Sequence, residues 1–231
     1  MNYSFLIFDA DGTLFDFDAA EAAALKETCL AFGMDTYNDI THLQVYREIN
    51  GIIWREFEEE RISARELKPE RFRRFFSRLD QQFDPHSFSD RYLLNLSKHG
   101  ILLAGAEEFL RNLDNSFTTA LLTNGLTKVQ YPRYNNSILP GFIPHIVVSE
   151  SVGVAKPNPK IFDIVFQEAG WEEKASALMI GDNLSSDIRG GLNYGIDTCW
   201  YNPDGNVNTT DLTPTYEIRS FRELSSILNL S

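Results

Sequence analysis

The chain has 231 residues, 43% of them hydrophobic, and a formal net charge of −12. This composition is typical of a globular protein and excludes collagen-like and disordered chains, and the acidic balance argues against nucleic-acid polymers and anionic membrane surfaces as partners. No apolar run approaches the roughly 18 residues of a membrane span, and no signal peptide is predicted. With only two cysteines, we expect a cytoplasmic protein with free thiols.

The first predicted element is a short buried strand. Ser4 to Phe8 is an apolar run that stops at Asp9, as expected for a strand that is covered on both faces. The pattern then changes to helical periodicity, beginning with an alanine-rich segment from Ala19 to Phe32. Because no strand pattern interrupts this stretch, we predict an all-helical insert over residues 17–99.

Two local signals locate helix starts inside the insert. Ser63 and Glu66 have the spacing of a capping box, which satisfies the free backbone N–H groups at a helix start. Proline favours the first position of a helix because its missing N–H is not needed there. The sequence therefore predicts that Pro69 opens a helix.

Beyond Gly100 the predicted strands and helices alternate. The strands are Phe117–Thr123, Ile146–Ser149, Ala177–Ile180 and Thr198–Tyr201, and the helices are Ala106–Leu113, Pro159–Ala169, Ile188–Asn193 and Phe221–Leu228. Such alternation predicts an α/β fold, with a parallel sheet that is covered by helices on both faces. Residues 1–16 and 100–231 are expected to form this core domain.

Acidic and small polar side chains follow three of the predicted strands. They are Asp9, Asp11, Thr123, Asn124, Asp182 and Asp187. Ligands bind at the carboxyl ends of the strands of a parallel sheet, so we expect these groups to converge. Taken singly, each aspartate could instead cap a turn or a helix, and Asn124 could belong to an ordinary Asn-Gly turn.

Four aspartates in one crevice would carry up to four negative charges. Like charges raise one another's pKa, so all four cannot ionise there without a cation. Carboxylate oxygens are hard ligands, and no histidine or cysteine lies at these strand ends. The sequence therefore predicts Mg²⁺ rather than zinc.

Lys156 is the candidate cationic side chain of the site. It precedes a predicted helix, where the helix dipole disfavours a cation unless an anion lies beside it. A phosphate group held by Lys156, Thr123 and the Asn124 backbone N–H would fit this arrangement. The alternative is a lysine that faces solvent, as most lysines do.

Four segments, in this order along the chain, resemble the motifs of the haloacid dehalogenase-like (HAD) superfamily. They are Asp9-Ala10-Asp11-Gly12-Thr13, Thr123-Asn124-Gly125, Lys156-Pro157, and Gly181-Asp182 with Asp187. Residues 146–150 and 152–158 also resemble the YjjG-type branch of pyrimidine 5′-nucleotidases.

The resemblance implies a Rossmannoid core of three α/β/α layers with an inserted helical cap of the C1 type. It implies that Asp9 forms an aspartyl-phosphate and that Asp11 is the general acid and base. The implied Mg²⁺ ligands are Asp9, the Asp11 main-chain carbonyl and Asp182, and the implied phosphate-binding groups are Thr123, Asn124 and Lys156. Asp187 would orient Lys156 or a metal-bound water.

In the cap, three residues are similar to those of the nucleotidase branch. Tyr46, Asn50 and Trp54 are therefore candidates for substrate selection, with Trp54 stacking on a base and Asn50 reading its edge. Aromatic residues at these positions could equally pack the helices together. One departure from the family is Pro132, which predicts an irregular segment where the family has a helix.

The expected activity is hydrolysis of a small phosphomonoester, a nucleoside 5′-monophosphate of the pyrimidine type. A sugar-phosphate phosphatase and a hexose-phosphate mutase remain alternatives. A haloacid dehalogenase would need neither Asp11 nor a metal, and an inactive binding domain would be expected to have lost a motif residue. The sequence does not fix the oligomeric state.

Overall fold

The computed structural model describes residues 3–34, 37–59, 61–114 and 116–230. The chain divides into two units, one formed by Met1–Phe17, Ile101–Thr127 and Tyr134–Ser231, and the other by Asp18–Gly100 and Lys128–Arg133. The domain ranges predicted from the sequence include residues 1, 2, 35, 36, 60, 115 and 231, which lie outside the described residues.

The first unit is built on a parallel sheet, which within the described residues has six strands in the order β3-β2-β1-β4-β5-β6. The strands are β1 (Phe5–Phe8), β2 (Thr118–Thr123), β3 (His145–Val148), β4 (Ala177–Gly181), β5 (Asp197–Tyr201) and β6 (Tyr216–Ile218). All neighbouring strands pair in parallel, and β1 lies between β2 and β4. This order places the carboxyl ends of β1, β2 and β4 next to one another in the middle of the sheet.

The helices of the described residues are numbered in chain order. They are α1 (Phe17–Ala31), α2 (Asp39–Glu58), α3 (Ala64–Leu79), α4 (Pro85–Leu96), α5 (Ala106–Asn112), α6 (Thr127–Asn135), α7 (Ser149–Val152), α8 (Pro159–Ala169), α9 (Arg189–Tyr194) and α10 (Phe221–Ile227). A π-helical turn over Leu184–Ile188 leads into α9. None of these helices is both long and apolar enough to cross a membrane.

Two apolar layers hold the first unit together, one on each face of the sheet. On one face Phe8 of β1 packs against Phe109 of α5, with ring centroids 6.0 Å apart. On the other face Phe5 packs against Phe166 of α8 at 5.2 Å. Successive strand residues point to opposite faces, so one apolar strand serves both layers. The predicted three-layer α/β/α fold is confirmed.

The described residues of the second unit form helices joined by loops, and the unit has an aromatic core. The rings of Tyr46, Phe88 and Tyr92 lie 5.5, 4.9 and 5.2 Å from that of Phe72, and all four side chains are buried. Stacked, tilted and edge-to-face ring contacts of this kind stabilise a core beyond the area that they bury. These contacts join α2, α3 and α4.

The prediction that Pro69 opens a helix is wrong. The Ser63–Glu66 capping box is present as predicted, and α3 begins directly after it at Ala64. Pro69 therefore lies inside the helix. The box satisfies the free N–H groups at the helix start, and it outweighs the preference of proline for the first position.

Pro132 does not produce the predicted irregular segment either, because it lies inside α6. The next residue, Arg133, is buried and donates a hydrogen bond from Nε to the main-chain oxygen of His99 at 2.9 Å. A tertiary contact of this kind can offset the helical hydrogen bond that proline removes. The sequence pattern also missed β6, which has only three residues.

Candidate active site

Asp9 lies at the carboxyl end of β1, in the middle of the sheet. Its backbone N–H donates to the Ile180 main-chain oxygen at 2.9 Å, so the aspartate is fixed by the neighbouring strand β4. Its side chain is buried, and Oδ1 accepts a hydrogen bond from Lys156 Nζ at 2.6 Å. The buried strand therefore ends in a carboxylate that is paired with an ammonium group.

Asp182 follows the end of β4. Its Oδ1 accepts a hydrogen bond from the Thr13 hydroxyl at 3.1 Å. Gly12 has a φ of +83°, and a Cβ added there would lie only 2.6 Å from Asp182 Oδ2. Glycine is therefore required at this position both for its backbone conformation and for the space that Asp182 occupies.

Asp187 approaches the same place from the π-helical turn after β4. Its Oδ2 accepts a hydrogen bond from the Asn183 backbone N–H at 3.0 Å, and its side chain is only 1% exposed. A Cβ on Gly181 would collide with the Asp187 carboxylate. The second glycine thus lets this carboxylate pack against the end of β4.

Lys156 carries the buried positive charge of the site. Its Nζ donates to Asp9 Oδ1 at 2.6 Å and to the Leu122 main-chain oxygen at 2.7 Å, and it lies 2.7 Å from Asp187 Oδ1. Burial alone would lower the pKa of this ammonium group, but Asp187 and Asp9 raise it above its usual value. The lysine is 1% exposed, so the alternative that it faces solvent is excluded.

Asn124 has a structural role that the sequence pattern did not reveal. Its Oδ1 accepts a hydrogen bond from the Lys156 backbone N–H, and its Nδ2 donates to the Lys156 main-chain oxygen, both at 2.8 Å. The side-chain amide thereby holds the loop that carries Lys156. Thr123, the preceding residue, is buried at the end of β2.

Three carboxylates of the described residues form a group that could hold a metal ion. Single oxygens of Asp9, Asp182 and Asp187 lie within 4.8 Å of one another. The Asp11 carboxylate is not in this group. Three oxygen ligands without nitrogen or sulfur fit Mg²⁺, so the residues present match the metal that the motifs imply.

Burial and neighbouring negative charges raise the pKa of two of these carboxyl groups. Burial is the largest cause for Asp9, whose pKa is raised well above its usual value although Lys156 opposes the shift; Asp187 and Asp182 add to it. Burial and then Asp187 raise the pKa of Asp182 to about 7, against the hydrogen bond from Thr13. One ammonium group does not balance three carboxylates, and a divalent cation would.

The candidate cap residues lie on α2 in the second unit. Tyr46 is fully buried in the aromatic core. Asn50 is buried and donates a hydrogen bond from Nδ2 to Glu21 Oε1 at 3.2 Å. Trp54 is half-buried, and its ring lies 5.6 Å from that of Phe57. Of the three, only Trp54 is half-buried rather than buried.

Comparison with known proteins supports the motif assignment. A family model described as haloacid dehalogenase-like hydrolase matches residues 3–195. The pyrimidine 5′-nucleotidase PynA of Streptococcus pneumoniae is 36% identical over 99% of this chain and 96% of its own length. The pyrimidine 5′-nucleotidase YjjG of Escherichia coli is 31% identical over 99% of both chains.

A solved structure is similar over the whole chain. The crystal structure of the HAD-hydrolase YfnB from Bacillus subtilis, bound to magnesium, covers 100% of both chains with a TM-score of 0.93 and 36% identity. The resemblance predicted from the four motifs is therefore confirmed. The chain belongs to the haloacid dehalogenase-like hydrolases.

Proposed function

We propose that this hydrolase is a Mg²⁺-dependent phosphomonoesterase that acts through an aspartyl-phosphate on Asp9. The proposal rests on the group formed by Asp9, Asp182 and Asp187, whose carboxylate oxygens lie within 4.8 Å of one another. Lys156 donates a hydrogen bond to Asp9 beside this group. The proposed substrates are pyrimidine nucleoside 5′-monophosphates. The names and near-complete coverage of the two nucleotidases support this class.

Asp9 is the proposed nucleophile. A carboxylate needs no deprotonation at neutral pH, so it can attack phosphorus without a histidine base. Bound Mg²⁺, held by Asp9, Asp182 and the Asp11 main-chain carbonyl, would supply positive charge that keeps Asp9 ionised and offsets the charge of the phosphoryl oxygens. The Lys156 ammonium group at 2.6 Å also favours the ionised carboxylate.

Asp11 is the proposed general acid and base. It would donate a proton to the leaving alcohol oxygen while Asp9 forms its bond to phosphorus. In the second step it would take a proton from the water that attacks the aspartyl-phosphate, which restores the Asp9 carboxylate and releases inorganic phosphate. Its position two residues beyond Asp9, outside the three-carboxylate group, suits a proton carrier better than a side-chain metal ligand.

Three groups would bind the oxygens of the transferring phosphoryl group. They are the Thr123 hydroxyl, the Asn124 backbone N–H and the Lys156 ammonium. Donors that are fixed before the reaction stabilise developing charge without reorganisation. Asp187 and the Asn124 side chain fix Lys156 from two sides, through its ammonium group and its main chain.

Residues 17–99 would form the cap that selects the substrate, with residues 1–16 and 100–231 as the catalytic domain. Trp54 would stack on the base and Asn50 would read its edge. Because Tyr46 is fully buried, it would act by holding the helix that carries the other two. The proposed setting is the cytoplasm, with a small phosphomonoester as the partner.

The test is a substrate panel with Mg²⁺, in which inorganic phosphate and the organic product are both measured. Pyrimidine nucleoside monophosphates should release phosphate faster than purine nucleotides and sugar phosphates, and chelation of the metal should abolish the release. A preference for sugar phosphates would contradict the substrate class. Isomerised sugar phosphate would indicate a mutase, and halide release from a 2-haloacid would indicate a dehalogenase.

A further inference from the structure

The side chain of Trp200 contacts the main chain of Asp182 rather than its carboxylate. The residue lies on β5, where Gly181 and Trp200 are the last residue pair of the β4–β5 ladder. Its side chain is 4% exposed, and its indole N–H donates to the main-chain oxygen of Asp182 at 2.8 Å. The indole thus extends the hydrogen bonding between the two strands one residue past the end of β4.

This hydrogen bond is one of three features that fix the position of Asp182. The indole holds the main-chain oxygen, the Thr13 hydroxyl holds Oδ1 at 3.1 Å, and Gly12 leaves the space beside Oδ2. These contacts orient both the main chain and the carboxylate of Asp182, and so set the direction in which the carboxylate points. Partners outside the ligands commonly tune metal affinity in this way.

We infer that Trp200 is a positioning residue for divalent-cation binding and that its indole N–H sets the affinity of the site for Mg²⁺. This inference rests on the metal site of the proposed function. Trp200 is not one of the three candidate carboxylate ligands. It acts only through the orientation of Asp182.

The chain contains a matched control at the amino end of β4, opposite the end that Trp200 contacts. The indole N–H of Trp171 donates to the Glu173 main-chain oxygen at 3.0 Å and to Ser176 Oγ at 3.2 Å, directly before β4 begins. Replacing either tryptophan with phenylalanine keeps an aromatic ring and removes one N–H donor. Only Trp200→Phe removes it at the carboxyl end of β4.

The experiment is calorimetric titration of the metal-free full-length chain with Mg²⁺, for the wild type, W200F and W171F. A hydrogen bond has a net value of about 0.5–1.5 kcal/mol, so we expect W200F to bind Mg²⁺ about two- to thirteenfold more weakly. We expect W171F to bind as the wild type does. Thermal unfolding of both variants checks that they fold.

A second measurement needs no variant. In an ¹⁵N-labelled wild-type sample, Mg²⁺ should shift the indole N–H resonance of Trp200 and leave that of Trp171 in place. If the wild type binds no Mg²⁺, the proposed function fails. If the wild type binds Mg²⁺ but W200F matches W171F, or the Trp200 resonance does not move, the role of Trp200 is overturned while the proposed function stands.

Discussion

The two units of this protein bury charge in different ways. In the first unit Asp9 and Asp187 share one ammonium group, that of Lys156, and Asp182 lies within 4.8 Å of both aspartates. In the second unit the buried carboxylate of Glu21 accepts hydrogen bonds from Arg47 at 2.8 Å and from Asn50 at 3.2 Å.

In the helical unit the buried carboxylate is paired with a cation. Burial raises the pKa of Glu21, and the hydrogen bond from Arg47 opposes the shift. The buried Arg71 guanidinium lies 5.1 and 4.9 Å from the ring centres of Phe72 and Tyr92, within the range of cation–π attraction. The buried Glu21 carboxylate has a cationic partner, Arg47, within its own unit. Asp9, Asp182 and Asp187 in the first unit share only one ammonium group, that of Lys156, and an excess of buried charge of this kind is typical of a functional site.

The largest expected effect comes from Asp9→Asn. The amide keeps the shape of the side chain but cannot attack phosphorus, so we expect kcat for a pyrimidine nucleoside monophosphate to fall at least about 10³-fold. Asp18→Asn, at an exposed residue of α1 whose side chain is 80% exposed, is the matched control and should retain activity. Activity of Asp9→Asn comparable to that of the control would remove Asp9 from the mechanism.

Lys156→Met should lower stability as well as activity. It leaves Asp9 and Asp187 buried without their cation, and breaking a buried pair in this way costs about 3–5 kcal/mol. Denaturant unfolding of the metal-free protein would measure the loss. Lys160→Met, at an exposed position of α8, should change the free energy of unfolding by less than about 0.5 kcal/mol. Equal stability of the two variants would mean that Lys156 does not hold the carboxylates together.

The excess negative charge should also make the metal-free protein sensitive to pH. The pKa of Asp182 rises from its usual 3.8 to about 7 on folding. The folded state then holds the proton more tightly than the unfolded state, so this group costs stability as the pH rises from 3.8 to about 7. We expect Tm to fall by about 5 °C more across this range than in Asp182→Asn. Mg²⁺ should reduce the difference at the upper end, and identical pH profiles of the two proteins would contradict this electrostatic account.

The smallest effect is expected in the helical unit. If Trp54 stacks on a base, Trp54→Ala should raise KM for a pyrimidine nucleotide about tenfold and leave KM for sugar phosphates unchanged. Tyr46→Phe is the control, because the Tyr46 ring is fully buried and the variant keeps it. A uniform rise in KM for all substrates in Trp54→Ala would indicate a packing role for this residue.

The fold and the acidic cluster could be predicted because their signals are local. An apolar run followed by Asp9 predicts a buried strand and its end without knowledge of the rest of the chain. Parallel strands then bring Asp182 to the same edge as Asp9 by topology alone. Gly12 and Gly181 belong to the sequence motifs, but only the structure shows that each makes room for a carboxylate.

The contacts that hold the site in place could not be predicted. The side chain of Asn124 pairs with the main chain of Lys156, 32 residues away, and no periodicity in the sequence encodes such a contact. The Trp200 indole likewise reaches the Asp182 carbonyl from a neighbouring strand. Pro69 and Pro132 lie inside helices for a related reason, since capping and tertiary contacts outweigh the local preference of proline.

The most direct test of the central claim is to trap the phosphorylated enzyme. Asp11 is the proposed acid in the first step and the proposed base in the second, so the trap needs a leaving group that departs without a proton. With p-nitrophenyl phosphate, Asp11→Asn should slow the attack of water more than the attack of Asp9, because Asp9 needs no base and nitrophenolate needs no acid. Acid quenching of this variant during turnover of p-nitrophenyl phosphate with Mg²⁺, followed by peptide mass spectrometry, should show one phosphoryl group on the peptide that contains Asp9. Phosphate release by a variant whose Asp9 peptide is never phosphorylated would contradict the account.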